Sequence, residues 1–288
     1  MNIQSLLCST GTIVGRANGF DIHLVTRILP PFIEQGLIDG AELMMLPVYY
    51  DRLAAVSGEW LAAGIALPVI HADKNIGTLL SDAAVADAEG DRTGADACRR
   101  QALENFRLNC EMGALASSGA MVLHLWGGMN SDRHVAYNVS VLPELCGIIR
   151  PYGIRLLIEN VPSNTHDPLT NWRRLLPYLG ECELIFDTRF GQLHRQIEET
   201  WADEDIAPHI RHIHVSDIRG AHRDFSTLRP ILHPGEGMID FPALRRILDA
   251  HGYSGTLTLE SPVIQDGGAD GEKLKRTLSY LNTLLRNR

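Results

Sequence analysis

Four side chains that can bind a metal each stand at the end of a short apolar run. The four runs, typical of buried strands, are R-L-L-I-E-N, E-L-I-F-D-T, R-H-I-H-V-S-D and T-L-T-L-E-S. The side chains are Glu159, Asp187, His214 and Glu260. Burying a charged group beside an apolar strand is costly unless it is paired or coordinates a metal. Three carboxylates and one imidazole suit Mn²⁺, Mg²⁺ or Co²⁺, and Zn²⁺ also accepts such ligands, so we predict one divalent metal site.

Each of these four residues also has a purely structural explanation. A glutamate at a strand end is often an ion-pair partner, and Asp187 could simply cap the helix that follows it. His214, two residues after His212, could be a hydrogen-bonded core histidine. The presence of all four groups at consecutive strand ends is what favours a metal site over these separate explanations.

Eight strand-like runs alternate with helix-like segments along the chain. Each run is short, nearly continuously apolar and bounded by glycine or polar residues, as expected for strands covered on both faces. They span residues 3–8, 41–46, 65–71, 120–125, 155–159, 182–187, 210–214 and 256–260. Eight βα units without a linker predict the α/β class, with a single (β/α)8 TIM barrel over residues 1–288. The carboxyl ends of such strands form the active-site mouth, so the four groups should meet at one rim.

The helix-like segments carry apolar residues at helical spacing. They span residues 95–118, 137–150, 171–178 and 242–250, with a closing helix over residues 272–288. Asp240 is a suitable N-cap for the fourth, with Pro242 in its first turn and Gly252 just past its end. Pro30 and Pro31 should split the first crossover helix. Residues 73–94 show the least regular pattern and predict a long loop after the third strand that could act as a lid.

Composition and charge limit the class of protein. The formal net charge of −9 argues against nucleic-acid binding, which needs a basic surface. No basic region precedes the first strand, and no apolar stretch is long enough to span a bilayer, so neither a signal peptide nor a membrane segment is expected. The five cysteines are scattered without a C-x-x-C pair, which predicts buried free thiols in a reducing cytoplasm. The oligomeric state stays open, and a homo-oligomer is compatible with the sequence.

The motifs resemble those of the xylose isomerase-like TIM-barrel superfamily, which includes sugar isomerases, sugar epimerases and the endonuclease IV type of repair nuclease. The matching pieces are I-E-N at 158–160, F-D-T at 186–188, H-I-H-V-S-D at 212–217, P-G-E-G-M-I-D-F at 234–241 and G-Y-S-G-T-L-T-L-E at 252–260. The resemblance covers nearly the whole chain and is strongest from the fifth strand onward. Its motifs are specific to the superfamily and much weaker as pointers to one member.

The resemblance to the ketose epimerase branch implies roles for the four strand-end residues. Together they would hold one divalent ion, and Glu159 and Glu260 would also pass a proton at the sugar carbon through an enediolate. A metal bound to the sugar oxygens would acidify the neighbouring C–H group, and a carboxylate on each face could remove and return the proton. Arg219 resembles an arginine that contacts substrate oxygens in some members, or it is a solvated loop charge.

One position departs from the superfamily pattern. Many members read D-T-G-H or D-x-x-H after the sixth strand, whereas this chain has Asp187-Thr188-Arg189-Phe190. Phenylalanine cannot bind a metal or a sugar hydroxyl. His194, four residues later, could turn towards the site, although a histidine on the helix surface is the simpler expectation.

The nuclease branch fits the sequence poorly. His71 and His124 match histidines that bind further zinc ions there, but that branch also needs a histidine at Phe190 and an Asp-x-His where this chain has Arg229-Pro230-Ile231. We therefore reject the nuclease, since three ligands are missing and the chain is acidic. His71 and His124 would line a sugar pocket or be structural histidines at the rim. Trp126 could stack on a sugar face or belong to the core.

The loop over residues 220–237 carries a cluster of cationic side chains, which are His222, Arg223, Arg229 and His233. They could meet a phosphate or carboxylate on the substrate, or they could be ordinary solvated loop charges.

Three functions remain open. The first is a metal-dependent isomerase or epimerase acting on a small sugar, sugar phosphate or sugar acid. The second is a dehydratase or lyase that uses the same metal and enolate chemistry on a polyol or keto acid. The third is a degenerate barrel that binds a small molecule without turnover, which Phe190 keeps open.

Overall fold

The computed structural model describes residues 3–286 and contains a closed barrel of eight parallel strands. The strands follow one another around the barrel in chain order, and β8 pairs with β1. They are β1 Ser5–Ser9, β2 Gly40–Met44, β3 Val69–His71, β4 Ala120–Leu123, β5 Arg155–Glu159, β6 Cys182–Asp187, β7 Ile210–Val215 and β8 Thr256–Leu259. The predicted TIM barrel is confirmed, with all eight strands in place and the third shorter than expected.

Helices connect the strands and cover the outside of the barrel. They are α1 His23–Ile28, α2 Pro30–Glu34, α3 Leu53–Ala62, α4 Asn75–Ala88, α5 Arg92–Leu115, α6 Val135–Ile149, α7 Pro168–Arg173, α8 Thr188–Leu193, α9 Ile197–Ala202, α10 Phe241–Ala250 and α11 Gly271–Leu281. A short pair of strands, β9 Ile264–Gln265 and β10 Gly268–Ala269, precedes α11. The predicted split at Pro30 is confirmed, because α1 ends at Ile28 and α2 begins at Pro30. None of the helices described is long and apolar enough to cross a membrane.

The prediction of a long loop or lid over residues 73–94 is wrong. Most of this segment is α4, whose buried face consists of Ile76, Leu80, Ala83 and Ala84 at helical spacing. Gly77 weakens the helical signal of this sequence, but a Cβ atom there would collide with the carbonyl oxygen of His124. The glycine therefore lets the helix pack closely against the backbone that follows β4.

The chain ends in a helix, as predicted. After α11 the helix continues as a π-helical turn over Asn282–Arg286, and the last two residues of the predicted helix lie outside the described residues. Four of the five cysteines are buried, Cys98 is half-buried, and all five are free.

We expect Asp240→Ala to lower the free energy of unfolding by about 1 kcal/mol. Asp240 is the N-cap of α10, and its Oδ1 accepts a hydrogen bond from Ala243 N at 2.8 Å. Urea denaturation measures the effect. The control is Asp240→Asn, which keeps an oxygen acceptor and should change stability by only a few tenths of a kcal/mol. Equal stability of the alanine variant and the wild type would show that this cap contributes nothing.

Alternation along the strands separates two apolar clusters. The main core lies between the strands and the helices, and a second, smaller cluster contains every other residue of several strands. That second cluster, the barrel interior, consists of Leu7, Val69, Ala120, Val122, Leu157 and Ile185. Two residues after Val69, Val122, Leu157 and Ile185, the interior positions change from apolar to ionisable. Side chains alternate between the two faces of a strand, so the next inward-facing residue after the apolar cluster lies at the carboxyl end of the strand. Because that residue is ionisable, the barrel mouth is polar.

Candidate metal centre

Five successive strands, β3 to β7, each place an ionisable side chain in the barrel mouth, either from the strand itself or from the residue that follows it. His71 follows Val69, His124 follows Val122, Glu159 follows Leu157 and Asp187 follows Ile185, each by two residues. His214 is the register partner of Asp187 on the neighbouring strand. Side chains that alternate point to the same face of a strand, so all of these groups turn into one mouth.

The structure brings the four predicted residues together. One ligand atom from each of Glu159, Asp187, His214 and Glu260 lies within 4.8 Å of the others. The Nδ1 atom of His214 lies 3.0 Å from Glu159 Oε1 and 3.5 Å from Glu260 Oε2. This is the arrangement predicted from the strand ends.

Unpartnered oxygens show that this set fits a divalent metal. Asp187 Oδ2 and Glu260 Oε1 are buried and accept no hydrogen bond from any described residue. The other oxygen of Asp187 accepts from Phe190 N at 2.9 Å and so caps α8. Asp187 therefore caps a helix with one oxygen and leaves the second free for a metal. Buried carboxylate oxygens without donors are unfavourable unless a cation binds them.

Burial and neighbouring charges shift the pKa values of the cluster. Burial raises the pKa of Asp187 to about 6; Arg189 opposes this, while Glu159 and Glu260 add to it. Burial alone would lower the pKa of His214, but the carboxylates of Glu260, Glu42 and Glu159 outweigh burial and raise it well above its usual value. Without a metal, a proton on His214 thus holds the carboxylates together, and a bound metal would take over the role of that positive charge.

His71 and His124 reach the same cluster. The Nε2 atom of His124 lies 2.5 Å from Glu159 Oε2, and that of His71 lies 3.5 Å from the same oxygen. Burial lowers the pKa of His124 to about 4, although Glu159 opposes the shift. The pKa of Glu159 is well below its usual range, because His124 and His214 outweigh its burial. Glu159 is therefore an ionised carboxylate at neutral pH, beside a neutral His124.

Trp126 and Arg219, the other two predicted substrate-binding residues, make their contacts elsewhere. Trp126 is fully buried, and its Nε1 donates to Ser163 Oγ at 3.1 Å. Arg219 is exposed and donates from Nη2 to the carbonyl oxygen of Glu236 at 2.7 Å. In this conformation Trp126 presents no ring face to a solute.

The position of the missing histidine is filled by an arginine and a phenylalanine. The guanidinium of Arg189 is 4.0 Å from Asp187 Oδ2, and its Cζ lies 4.4 Å from the centre of the Phe190 ring. His194 is buried rather than on the helix surface, and its Nε2 accepts from Ser163 N at 3.3 Å. The His194 ring is therefore hydrogen-bonded to the loop after β5 and does not turn towards the site. Arg189 is the cation beside the carboxylates that are predicted to bind the metal.

Half of the cationic loop cluster is structural. Arg223 donates to the carbonyl oxygens of Ser163 and Asn164. His233 is buried, and its ring nitrogens form hydrogen bonds with Pro262 O and with the hydroxyls of Ser261 and Thr277. His222 and Arg229 are exposed. The loop gains its shape from Asp217, which is fully buried and accepts hydrogen bonds from several backbone N–H groups at the G-E-G turn.

Glu42 is a functional residue that the sequence analysis missed. It lies in the middle of β2, is fully buried, and places Oε1 and Oε2 3.0 and 3.1 Å from His214 Nε2. Its Oε2 also accepts from Thr258 Oγ1 at 2.9 Å and lies 3.2 Å from His212 Nε2. An ionisable residue in the centre of a buried strand was the available signal, since such a residue is rarely buried without a partner.

Glu42, His212 and His214 also place their ligand atoms within 4.8 Å of one another. These atoms, however, already bond to one another and to Thr258, whereas the outer set of four has buried oxygens without donors. The outer set is therefore the better candidate for the metal, and the inner set supports it.

A cavity of about 860 Å³ opens at the opposite end of the barrel, among the amino-terminal ends of the strands. Its wall includes Arg155, Glu183, Arg211 and the inner residue His212, but none of the four predicted metal ligands. Barrel enzymes carry their chemistry at the carboxyl ends of the strands, so we place the active site at the mouth and not in this cavity.

Comparisons with known proteins agree with this architecture. The uncharacterized protein MJ1311 of Methanocaldococcus jannaschii is 27% identical over 200 residues, which cover 64% of this chain and 62% of that protein. The alignment thus spans less than two thirds of this relative's length.

Solved structures share the fold at low sequence identity. The IolI protein with a bound zinc atom superposes with a TM-score of 0.68 at 17% identity, covering 98% of both chains. The 3-keto-D-glucoside 4-epimerase YcjR from E. coli gives 0.62 at 16% identity over 98% of this chain and 100% of that one. A D-tagatose 3-epimerase-like protein gives 0.61 at 19% identity over 97% and 98%.

The family described as the xylose isomerase-like TIM barrel matches residues 62–284. This match includes six of the eight strands, β3 to β8, and, apart from Glu42, every residue of the mouth described above. The chain belongs to the xylose isomerase-like TIM barrel family.

Proposed function

We propose that the protein is a divalent-metal-dependent epimerase or isomerase acting on a small sugar, sugar phosphate or sugar acid. The observation that carries the proposal is the pair Glu159 and Glu260, two carboxylates that lie 3.0 and 3.5 Å from Nδ1 of His214, with one Glu260 oxygen that has no donor among the described residues. The solved structures that share the fold, which include sugar epimerases and a protein with a bound zinc atom, support the proposal.

The residues that would hold the metal are Glu159, Asp187, His214 and Glu260, and the metal is one ion of Mn²⁺, Mg²⁺, Co²⁺ or Zn²⁺. When bound, such an ion acidifies a C–H group next to a sugar carbonyl and stabilises the negative charge that develops on oxygen. The protein's own task is then to remove a proton and return it.

Glu159 and Glu260 are suited to that proton transfer. Glu159 is held as a carboxylate by His124 and His214, so it is ready to accept a proton at neutral pH. Glu260 comes from the last strand end and has an oxygen with no donor among the described residues. Two bases on opposite faces of a carbon would invert its configuration, whereas transfer along one face would isomerise the sugar, and the pair can serve either reaction.

The surrounding side chains exclude water and orient these bases. The Nδ1 atom of His71 lies 2.8 Å from Ala72 O, and it must be the donor because a carbonyl oxygen can only accept. When the ring is neutral its single proton is therefore on Nδ1, and Nε2 faces the cluster without a proton. His124 keeps Nε2 beside Glu159 and can donate to a carboxylate or to a sugar hydroxyl. We propose that both histidines line the substrate pocket.

The first test is the metal content of protein purified without chelator. We expect about one equivalent of a divalent metal in the wild type, and its loss in the Glu159→Gln/Glu260→Gln double variant, because two of four ligands lose their charge. Elemental analysis measures it, and a screen of sugars, sugar phosphates and sugar acids follows. No metal in either protein, even after soaking with Mn²⁺, would refute the metalloenzyme. A product with a new absorbing double bond would identify a dehydratase instead.

We also infer that residues 1–288 form one domain that works in the cytoplasm on a carbohydrate substrate. The barrel uses elements from both ends of the chain, since β1 pairs with β8. The free thiols support a reducing compartment. Limited proteolysis that released a stable fragment shorter than the barrel would contradict the single domain.

A further inference from the structure

We propose that Glu42 is a positioning residue, which fixes the ring of His214 so that its Nδ1 atom is the one presented to the metal. The inference rests on the proposed metal site and concerns a residue outside the set of four. Glu42 comes from β2 and His214 from β7, so the contact joins strands that are separated by β1 and β8 in the barrel.

The two ring nitrogens of His214 face two different carboxylates. Nδ1 lies 3.0 Å from Glu159 Oε1, on the side of the metal ligands. Nε2 lies 3.0 Å from Glu42 Oε1 and 3.1 Å from Glu42 Oε2, on the side of the barrel interior. Both His214 and Glu42 are fully buried, so water does not compete for these contacts. The ring is therefore held between the two carboxylates in one orientation.

A neutral imidazole has a single N–H, and a metal needs the nitrogen that has none. An ionised carboxylate accepts hydrogen bonds and cannot donate them. Glu42 therefore requires the N–H of a metal-bound His214 to be on Nε2, which leaves the lone pair of Nδ1 for the metal. A carboxylate behind a ligating histidine also makes the ring a stronger donor.

The other contacts of Glu42 explain why it supports the site and does not bind the metal itself. Its Oε2 accepts from the hydroxyl of Thr258 and lies beside His212 Nε2, both of which belong to the barrel interior. Thr258 is the register partner of His214 on β8. These partners hold the carboxylate in place, so Glu42 is a preformed acceptor aimed at Nε2.

The experiment compares metal affinity in Glu42→Ala, Glu42→Gln and the control Glu183→Gln. Glu183→Gln also replaces a glutamate of the barrel, but one at the amino-terminal end of β6 that pairs with Arg211 at 2.8 Å. Zn²⁺ titration of metal-stripped protein is the readout, and thermal unfolding of the same samples in chelator reports any purely structural loss. We expect Glu42→Ala to bind Zn²⁺ about 10- to 100-fold more weakly than the wild type. Glu42→Gln, whose amide oxygen can still accept, should lose less, and Glu183→Gln should stay within about threefold.

A second readout follows the ring itself. In zinc-loaded wild type labelled with ¹⁵N-histidine, NMR should show the proton of His214 on Nε2, and Glu42→Ala should lose that signature. A folded Glu42→Ala variant with Zn²⁺ affinity within threefold of the wild type would overturn the proposal while leaving the metal site intact. If the alanine variant does not fold, Glu42→Leu, which fills the space but offers no acceptor, takes its place, and Zn²⁺ affinity within threefold of the wild type in that variant would overturn the proposal. A wild type that binds no Zn²⁺ would overturn both this proposal and the proposed function.

Discussion

Replacing Glu260 by glutamine is expected to lower kcat by a factor of about 10² to 10⁴, the usual contribution of a positioned acid or base. Glutamine has the shape of glutamate but cannot take up a proton. The Oε1 atom of Glu260 has no donor among the described residues, so it is free to act on a substrate. Glu159→Gln should have an effect of the same size, because its carboxylate is the partner base. Steady-state kinetics on the substrate found in the sugar screen measures both.

Deuterium exchange separates the two glutamates. If each acts on one face of the carbon, Glu260→Gln should stop epimerisation but still exchange the substrate proton with D₂O from one epimer. Glu159→Gln should also stop epimerisation but should exchange the proton of the other epimer. The control is Glu183→Gln, which changes a glutamate at the amino-terminal end of β6 that pairs with Arg211 at 2.8 Å. Its kcat should stay within about twofold of the wild type. Normal turnover in both active-site variants would refute the two-base mechanism.

The second large effect concerns stability, and we expect Asp187→Asn to stabilise the metal-free protein at neutral pH. Burial raises the pKa of Asp187 in the folded state to about 6 from a usual value of 3.8, so the folded state binds this proton more tightly than the unfolded state does. The contribution of Asp187 to the free energy of unfolding is thus favourable at low pH, and it is lost as the pH rises from about 4 to about 6. Two pKa units correspond to about 3 kcal/mol.

Asparagine removes this penalty because it carries no charge. Its Oδ1 can still accept from Phe190 N, so the cap of α8 is kept. Urea unfolding in chelator should therefore show a gain of about 1 to 3 kcal/mol at pH 7.5 and nearly none at pH 4. Metal should no longer stabilise the variant. The matched control is Asp240→Asn, another N-cap, which should show no such pH-dependent gain. An Asp187→Asn variant that is less stable than the wild type at pH 7.5 would contradict the conclusion that the buried Asp187 carboxylate destabilises the metal-free protein.

These variants test a general feature of the proposed metal site, in which the groups that would bind the ion lower the stability of the metal-free fold. Asp187 Oδ2 and Glu260 Oε1 are buried without donors, and the carboxylates crowd around a single imidazole. A metal-free barrel therefore keeps an unfavourable cluster that a divalent ion would relieve. The same reasoning explains why the inner set around Glu42, whose atoms are all bonded, supports the site instead of binding the ion.

The residues that were found from sequence share one property, which is their place at a strand end. Glu159, Asp187, His214 and Glu260 each interrupt an apolar run, so their cost of burial is visible in the sequence itself. His71 and His124 were identified instead by their match to histidine positions of the nuclease branch, and their alternative as structural histidines stayed open. For the four strand-end groups the signal is local, because the strand period and the change from apolar to ionisable lie within a few residues.

The residues that were missed depend on contacts between distant parts of the chain. Glu42 is identified by its partner His214, which is 172 residues away in sequence. Arg189 is an exception, because it lies only two residues after Asp187; it was noted as part of the departure at Phe190, and its guanidinium lies 4.0 Å from Asp187 Oδ2. The helix α4 was read as a loop because Gly77 weakened its pattern, and the close backbone that requires this glycine comes from β4.

The barrel, the order of its strands and the four groups at its mouth are predictable from the sequence, because strand periodicity and the cost of burying charge are local properties. The fold alone shows which nitrogen of His214 faces the ligands, which oxygens lack donors, and that Trp126 is enclosed whereas His71 and His124 reach Glu159. These features depend on the register between strands and on side chains that meet across the barrel. No local pattern in the chain encodes them.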